Sequence, residues 1–389
     1  MSDYIAVSRE NSDLKIAIVT EGRLWQFFYQ SPKTPSYIDD IYLGRVLHKT
    51  SAFIWIDIGM NAPVALRPST SNNQLTEGQK ILVQVCQDVL DDKAERYEQK
   101  KKSLRVSTSI HLAGRYCIYH PHQQGLFFSE KLENQLKENL LHTLKNKKYL
   151  TIRSPYVFSK NESELLCEID QHHTEWDKLY KLPLTDKPGL IKSGSTTLEK
   201  LLRDLSPKHK VIFDDVSILV EAKGFLKKHH PFLLSQLHQA SLKELPLFES
   251  LGIAESWDNL YSSFVPISTG GNLYIEETAC VTTIDVNSAK AGVESNISAI
   301  ATILAQIRLR QLSGNIIIDF IRVPRRQRAQ LLQTFERLLS LENTQKLKIM
   351  GWSHLGFLEL QGPHFQNSLP KKLTTSCENC DGSGRVKKK

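Results

Sequence analysis

Cysteine is scarce in this sequence, with six in 389 residues. That is too few for a disulfide scaffold in a chain of this length, so a reducing, cytoplasmic setting is expected. Long apolar runs are missing too: no window approaches 18 uncharged hydrophobic residues, which leaves no candidate membrane span. The first residues have neither a basic flank nor an apolar stretch, so no signal peptide is expected. There is no internal repeat. Acidic residues fall short of basic ones, 42 against 50, for a formal charge of +8. A surplus of that sign favours a polyanionic partner without requiring one. With 40% hydrophobic and 24% charged residues, a buried core is feasible and wholesale disorder is excluded. The length predicts two to three domains.

The first 30 residues read as a hairpin, Leu14–Thr20 and Leu24–Tyr29 about a Glu21-Gly22 turn. Short strands then follow over Ile41–Leu47, Ala52–Gly59, Pro63–Leu66 and Gln79–Val85. Turn residues separate them at regular spacing, the rhythm of a small OB-type barrel. Asp88–Arg105 is highly charged and reads as a linker. A polar helix is expected over Lys131–Asn146, and a helix–strand–helix segment over Leu198–Phe248 that could pack on the N-terminal hairpin.

The most patterned stretch begins at Gly270-Gly271. In Val281–Ser288, strand alternation puts Ile284 and Val286 on one side and Thr283, Asp285 and Asn287 on the other. Ile297, Ile300, Leu304 and Ile307 then define an amphipathic helix over Asn296–Leu312, stopped near Gly314. Asn315–Ile321 is an apolar strand broken by Asp319. Strand, helix and strand of these lengths make a βαβ unit with parallel strands, so Asp285 and Asp319 emerge near one edge. Converging carboxylates repel unless a cation lies between them, and hard oxygen ligands select Mg²⁺ or Mn²⁺. Such an ion suits phosphodiester hydrolysis. The alternative is that the two aspartates pair with Arg308, Arg310 or Arg322.

Cys377-Glu-Asn-Cys380 followed by Gly382 and Gly384 has the spacing of half a zinc site. His354, His364 or a second chain would have to complete it; otherwise the thiols are a redox pair or idle. Lysine runs at 100–102, 145–148, 371–372 and 387–389 are ordinarily solvated faces. Beside a barrel bearing Phe53 and Trp55 on one strand face, they suggest single-stranded nucleic acid, although strand aromatics are commonly core.

Taken in order, Asp40-Ile-Tyr-Leu-Gly-Arg-Val46, Ile56-Asp-Ile-Gly59, His111-Leu-Ala-Gly-Arg-Tyr116, Thr282–Ser288, Gln306–Phe320 and Cys377–Arg385 span nearly the whole chain. In these the sequence resembles the catalytic half of the ribonuclease E/G family, closer in layout to the ribonuclease G branch because it stops after the zinc motif. The resemblance implies an α/β multidomain fold: an RNase H-like domain (1–36 and 189–262) interrupted by an OB-fold barrel (37–105) and a 5′ sensor (106–188). A DNase I-like catalytic domain (263–372) and a zinc link with a basic tail (373–389) would follow. It implies a Mg²⁺- or Mn²⁺-dependent endoribonuclease for single-stranded RNA, acting in rRNA processing or mRNA decay and leaving 5′-phosphate ends. Asp285 and Asp319 would hold the metal, with Asn287 beside them. Cys377 and Cys380 would share a structural Zn²⁺ between two chains of a homodimer, which could pair into a tetramer. Arg153 and Ser154 would sense a 5′-phosphate, with Ile118 on the terminal base, and Trp55 and Lys102 would contact RNA, joined by Phe53 on the same strand face as Trp55.

Three departures from the family pattern stand out. Ala65 replaces a second stacking phenylalanine, Arg322 replaces an acidic residue, and Leu360–His364 replaces a basic run. These favour weaker RNA grip, and in the extreme an RNA-binding protein of the same fold with little or no catalysis.

Overall fold

The computed structural model describes residues 3–69, 72–89, 103–145, 147, 149–182, 187–241, 245–268, 270–278, 280–288, 292–342, 346–364, 366–375, 377–380 and 386. Strands β1 (Tyr4–Glu10), β2 (Asp13–Thr20) and β3 (Arg23–Gln30) form an antiparallel meander. Alternation along them sends Ile5, Val7, Leu14 and Ile16 to one core and Ala6, Ala17 and Phe27 to another, so this sheet is covered on both faces.

Strands β4 (Ile41–Lys49), β5 (Ile54–Asp57), β6 (Val64–Leu66), β7 (Lys80–Gln87) and β8 (Arg105–Ser107) follow. They lie in the order β4-β5-β6-β8-β7, and β7 returns to β4 to close a five-stranded, OB-like barrel. Closure leaves no free edge and gives Val46, Ile54, Ile56, Val64, Val83 and Val106 a common interior. Four of these strands match the regular spacing in the sequence. The fifth, β8, starts at Arg105, where charge patterning predicts a linker; three residues are too few to show a period. The linker's residues 90–102 lie outside the described residues.

A small sheet β11-β12-β10-β9 comes next, built from β9 (Leu112–Ala113), β10 (Cys117–Tyr119), β11 (Leu126–Phe128) and β12 (Leu150–Ile152). The expected polar helix is α1 (Asn134–Thr143), shorter at both ends. Beyond α2 (Tyr156–Ser159), the 19-residue α3 (Glu162–Tyr180) is an addition to the sequence reading. The Asn161 side chain caps it by accepting from the Ser163 and Glu164 N–H groups, and Leu165, Ile169, His172 and Leu179 bury its inner face.

Strand β13 (Gly189–Lys192) pairs with β4 at the barrel. It leads to α4 (Thr197–Arg203), β14 (Lys210–Phe213), α5 (Val216–His229) and β15 (Leu237–Gln239). β14 runs parallel to β1 and β15 parallel to β14, so the segment joins the N-terminal meander in one sheet, β15-β14-β1-β2-β3.

Past α6 (Leu247–Ser250) and α7 (Ala254–Asp258), the last sheet contains β16 (Phe264–Pro266), β17 (Asn272–Glu277), β18 (Thr282–Asn287) and β19 (Asn315–Asp319). β20 (Lys348–Trp352) and β21 (Leu358–Gln361) complete it in the order β16-β17-β18-β19-β21-β20. Helix α8 (Val293–Leu309) carries the chain from β18 to its parallel neighbour β19, and α9 (Arg325–Glu342) follows. Ile300, Ile303 and Ile307 of α8 and Leu331 and Phe335 of α9 pack against Ile284, Val286, Ile316 and Ile318. The opposite face of the sheet carries exposed Tyr274, Glu276, Asp285, Asn287 and Asp319. A last short helix, α10 (Leu369–Leu373), closes against β3. Among the described residues no helix is long and apolar enough to cross a membrane.

Candidate active site

Asp285 and Asp319 are register partners on the parallel strands β18 and β19. Parallel neighbours lie about 4.8 Å apart, so the two carboxylates stand side by side at the strand ends. Asn287, two residues along the same face, donates from Nδ2 to Asp285 Oδ2 at 2.8 Å. Burial, and after it the Asp285 charge, raises the Asp319 pKa above the ordinary carboxylate value, against an opposing pull from Arg322.

The arginines that could have neutralised this pair are largely engaged elsewhere. Arg308 donates from Nε to the Trp25 carbonyl at 2.6 Å, lies 3.8 Å over the Trp25 ring and pairs with Glu342. Arg310 donates to the Ser262 carbonyl at 2.7 Å and to Gln306 at 2.8 Å. Arg322 is exposed and makes no ion pair within 4 Å of Asp319 among the described residues.

Two residues hold the geometry that strand alternation alone could not reveal. Asn296, buried in the inner face of α8, donates to the Ile321 carbonyl at 2.7 Å and accepts from the Ile321 N–H at 3.0 Å. Its amide thereby fixes the exit of the chain two residues past Asp319; the available signal was a polar residue inside an apolar stripe. Gly271 has φ of +99°, and a Cβ there would lie 2.3 Å from the Asn287 carbonyl, so only glycine lets β17 approach the site this closely. Next to it, at the start of β17, the Asn272 Oδ1 atom is buried with no hydrogen-bond partner among the described residues, across from Asn287. Paired acidic oxygens without a bound guanidinium suit a hard divalent cation, so the residues fit a Mg²⁺ or Mn²⁺ site.

A second cluster of ligand-type atoms, Cys117, Glu168 and His172, lies within 4.8 Å. Glu168 is already committed, accepting backbone N–H groups from Arg115, Tyr116 and Cys117 at 2.8–3.0 Å. Burial and the Glu168 charge push the Cys117 thiol pKa well above its usual value, keeping it protonated. The carboxylate anchors a turn.

At the other predicted positions the outcome varies. Ile118 on β10 pairs with Thr151 on β12, and Arg153 follows directly, so the two are brought close. The Arg153 guanidinium is nevertheless occupied: it donates to both Asp204 carboxylate oxygens at 2.6 and 2.7 Å and to the Gly114 carbonyl at 2.6 Å. Burial works to raise the Asp204 pKa, but hydrogen bonds from Arg153 and Arg203 outweigh it and hold the pKa low. Ser154 is half-buried beside it. On the barrel, the Phe53 and Trp55 rings sit 6.1 Å apart, both partly exposed, and His48 stacks on Trp55 at 6.2 Å. Lys102 lies outside the described residues. Of the lysine runs, Lys371 pairs with Glu277 at 3.1 Å. Lys372 donates to Gln366, and burial lowers its pKa to about 8, so both serve to dock α10. Cys377 is exposed and Cys380 half-buried, and among the described residues no group of three ligand-type side chains includes them.

The sheets, the OB-like barrel and an exposed pair of strand-end carboxylates define the class of protein: a mixed α/β chain with several sheets, a closed five-stranded barrel and two aspartates side by side on neighbouring parallel strands. The family model described as Ribonuclease E/G family matches residues 111–362, well over half of the chain. The chain belongs to the ribonuclease E/G family. Across its full length it is 24% identical to ribonuclease G of Escherichia coli K12, covering 85% of that protein. It is 25% identical to ribonuclease E of Buchnera aphidicola, of which it spans only 43%. To ribonuclease G of Haemophilus influenzae it is 26% identical over 97% of its own length and 82% of the relative's.

Proposed function

We propose that this protein is an endoribonuclease that hydrolyses internal phosphodiester bonds of single-stranded RNA, in rRNA processing or mRNA decay, and leaves 5′-phosphate ends. The observation that carries the reading is the cross-strand register of Asp285 and Asp319 on an open sheet face, with no arginine bonded to either among the described residues. The two carboxylates would hold Mg²⁺ or Mn²⁺, which when bound polarises a phosphoryl oxygen and lowers the pKa of a water. Asn287 keeps Asp285 turned to the site through its 2.8 Å hydrogen bond. Asn296 and Gly271 position the strand ends from behind. Arg322, exposed beside Asp319, is placed to meet negative charge on the substrate.

In this reading the sheet of β16–β21 with α8 and α9 is the DNase I-like catalytic domain, and β1–β3 with β14 and β15 is the RNase H-like domain. The barrel holds RNA through Trp55 and Phe53; Lys102, the third expected contact, lies outside the described residues. Arg153, Ser154 and Ile118 form the 5′ sensor. Cys377 and Cys380 supply two of the four ligands a structural zinc needs, and a second chain supplies the others, linking a cytoplasmic homodimer and, through a further pairing, a tetramer. The test is incubation of labelled single-stranded RNA with and without Mg²⁺. Cleavage that needs the metal and vanishes in Asp285→Asn, with binding retained, is the expected result. Wild-type protein that binds RNA and never cuts it would favour the reading of a catalytically silent RNA-binding protein.

A further inference from the structure

The register of the barrel places His48, Trp55, Ala65 and Arg105 in one row across β4, β5, β6 and β8. Ala65 offers no ring, and the Arg105 guanidinium lies 5.6 Å over the Phe53 ring, within cation–π range. Arg105 and exposed Arg67 line a single cleft of about 840 Å³. Its other walls include Cys86 from the barrel and Gln361 and His364 from the end of β21. Gln361 is the register partner of Asn315, on the strand that ends at Asp319. Among the described residues no carboxylate lies within ion-pair range of either guanidinium. Burial, and then the like charge of Arg67, lowers the Arg105 pKa, so the two cations stand close enough to repel.

We propose that this cleft is a phosphodiester-binding site in which Arg67 and Arg105 hold two phosphates of a single-stranded RNA passing from the Trp55–Phe53 face toward the nuclease sheet. The inference rests on the ribonuclease reading for the identity of its ligand. Two guanidiniums with no acidic partner among the described residues suit a polyanion, and their planar forks match phosphate oxygens. Phe53 and Trp55 alongside supply π-faces for bases, the combination that holds single strands without reading sequence. The planar face of Arg105 also takes over part of the stacking surface that Ala65 lacks.

The experiment uses the whole chain carrying Asp285→Asn, so that RNA stays intact, and a fluorescein-labelled single-stranded RNA read by anisotropy across a KCl series. Each phosphate contact to a single strand contributes about 0.7 to the slope of log K against log salt, so Arg67→Gln with Arg105→Gln should lower it by about 1.4. Between 1 M and 0.1 M salt that is roughly a 5-fold loss of affinity per arginine and about 25-fold for both. Arg105→Lys keeps the charge, so it should preserve the slope while binding more weakly at every salt concentration. Saturating RNA should also protect Cys86 in the cleft from N-ethylmaleimide while Cys167, exposed outside it, stays reactive, as read by peptide mass spectrometry. An unchanged slope in the double variant, or a Cys86 that labels equally fast with and without RNA, overturns the proposal; a cleft built for a peptide would give both. Protein that cleaves RNA with an unchanged slope sinks this site alone. A lowered slope with wild-type protein that never cleaves sinks the nuclease reading and leaves the site standing.

Discussion

Replacing Asp319 by Asn should make the metal-free protein more stable and the metal-loaded protein less so, a reversal that a purely structural carboxylate would not produce. Two carboxylates on neighbouring strands, about 5 Å apart, repel by about 3 kcal/mol at an effective dielectric of 20 and by under about 1 kcal/mol in water. Both side chains are exposed, so the aqueous end applies and the relief is about 1 kcal/mol. For a folding unit of about 100 residues that raises the melting temperature by roughly 4 °C. With manganese the order inverts. An ion at a hundredfold excess over its Kd stabilises the wild-type protein by about 2.7 kcal/mol, and the variant, with half the ligand charge, gains little. Differential scanning fluorimetry in EDTA and through a manganese titration reads both effects. The reasoning is refuted if manganese raises both melting temperatures equally, or if the metal-free variant melts below wild type, since Arg322 would then already be compensating the Asp319 charge.

Three further outcomes follow from the geometry. Arg153→Ala should abolish any preference for 5′-monophosphate over 5′-hydroxyl RNA and, by removing two of the hydrogen bonds to Asp204 while Arg203 stays bonded, destabilise the protein by about 1–2 kcal/mol, the low end because the Asp204 side chain is 35% exposed. Asp204→Asn frees the guanidinium and should strengthen the preference; paired cleavage assays on the two substrates decide. Cys377→Ser should drop bound zinc to zero by elemental analysis and shift the light-scattering mass from dimer to monomer, and a stable zinc-free dimer would contradict it. His230 is buried beside Arg115, and burial with that charge lowers its pKa to about 4 from 6.5. The unfolded chain therefore takes up its proton first as pH falls. The stability His230 contributes is complete above pH 6.5 and is lost on the way to pH 4, about 3 kcal/mol at most. Urea unfolding from pH 7 to 4 should show this slope in wild type, and an equal slope in His230→Asn would discount it.

What could be read from residues alone was what is local or periodic. Alternation in Thr282–Asn287 puts Asp285 and Asn287 on one face, and three-four spacing in α8 defines a helical crossover that carries the chain back, making β18 and β19 parallel. Those two rules suffice to bring Asp285 and Asp319 together. The regular turns of the barrel were legible for the same reason, whereas β8, three residues within a charged run, exists only because the barrel needs a fifth strand between β6 and β7. Tertiary structure alone decided which charges meet. Arg153 finds Asp204 from 51 positions away, Arg308 finds Trp25 from 283 away, and Arg105 turns onto Phe53 beside Ala65 and joins Arg67 in the cleft. Side-chain periodicity records which way a residue faces and carries no record of what stands opposite, because that partner is chosen by the packing of sheets and domains.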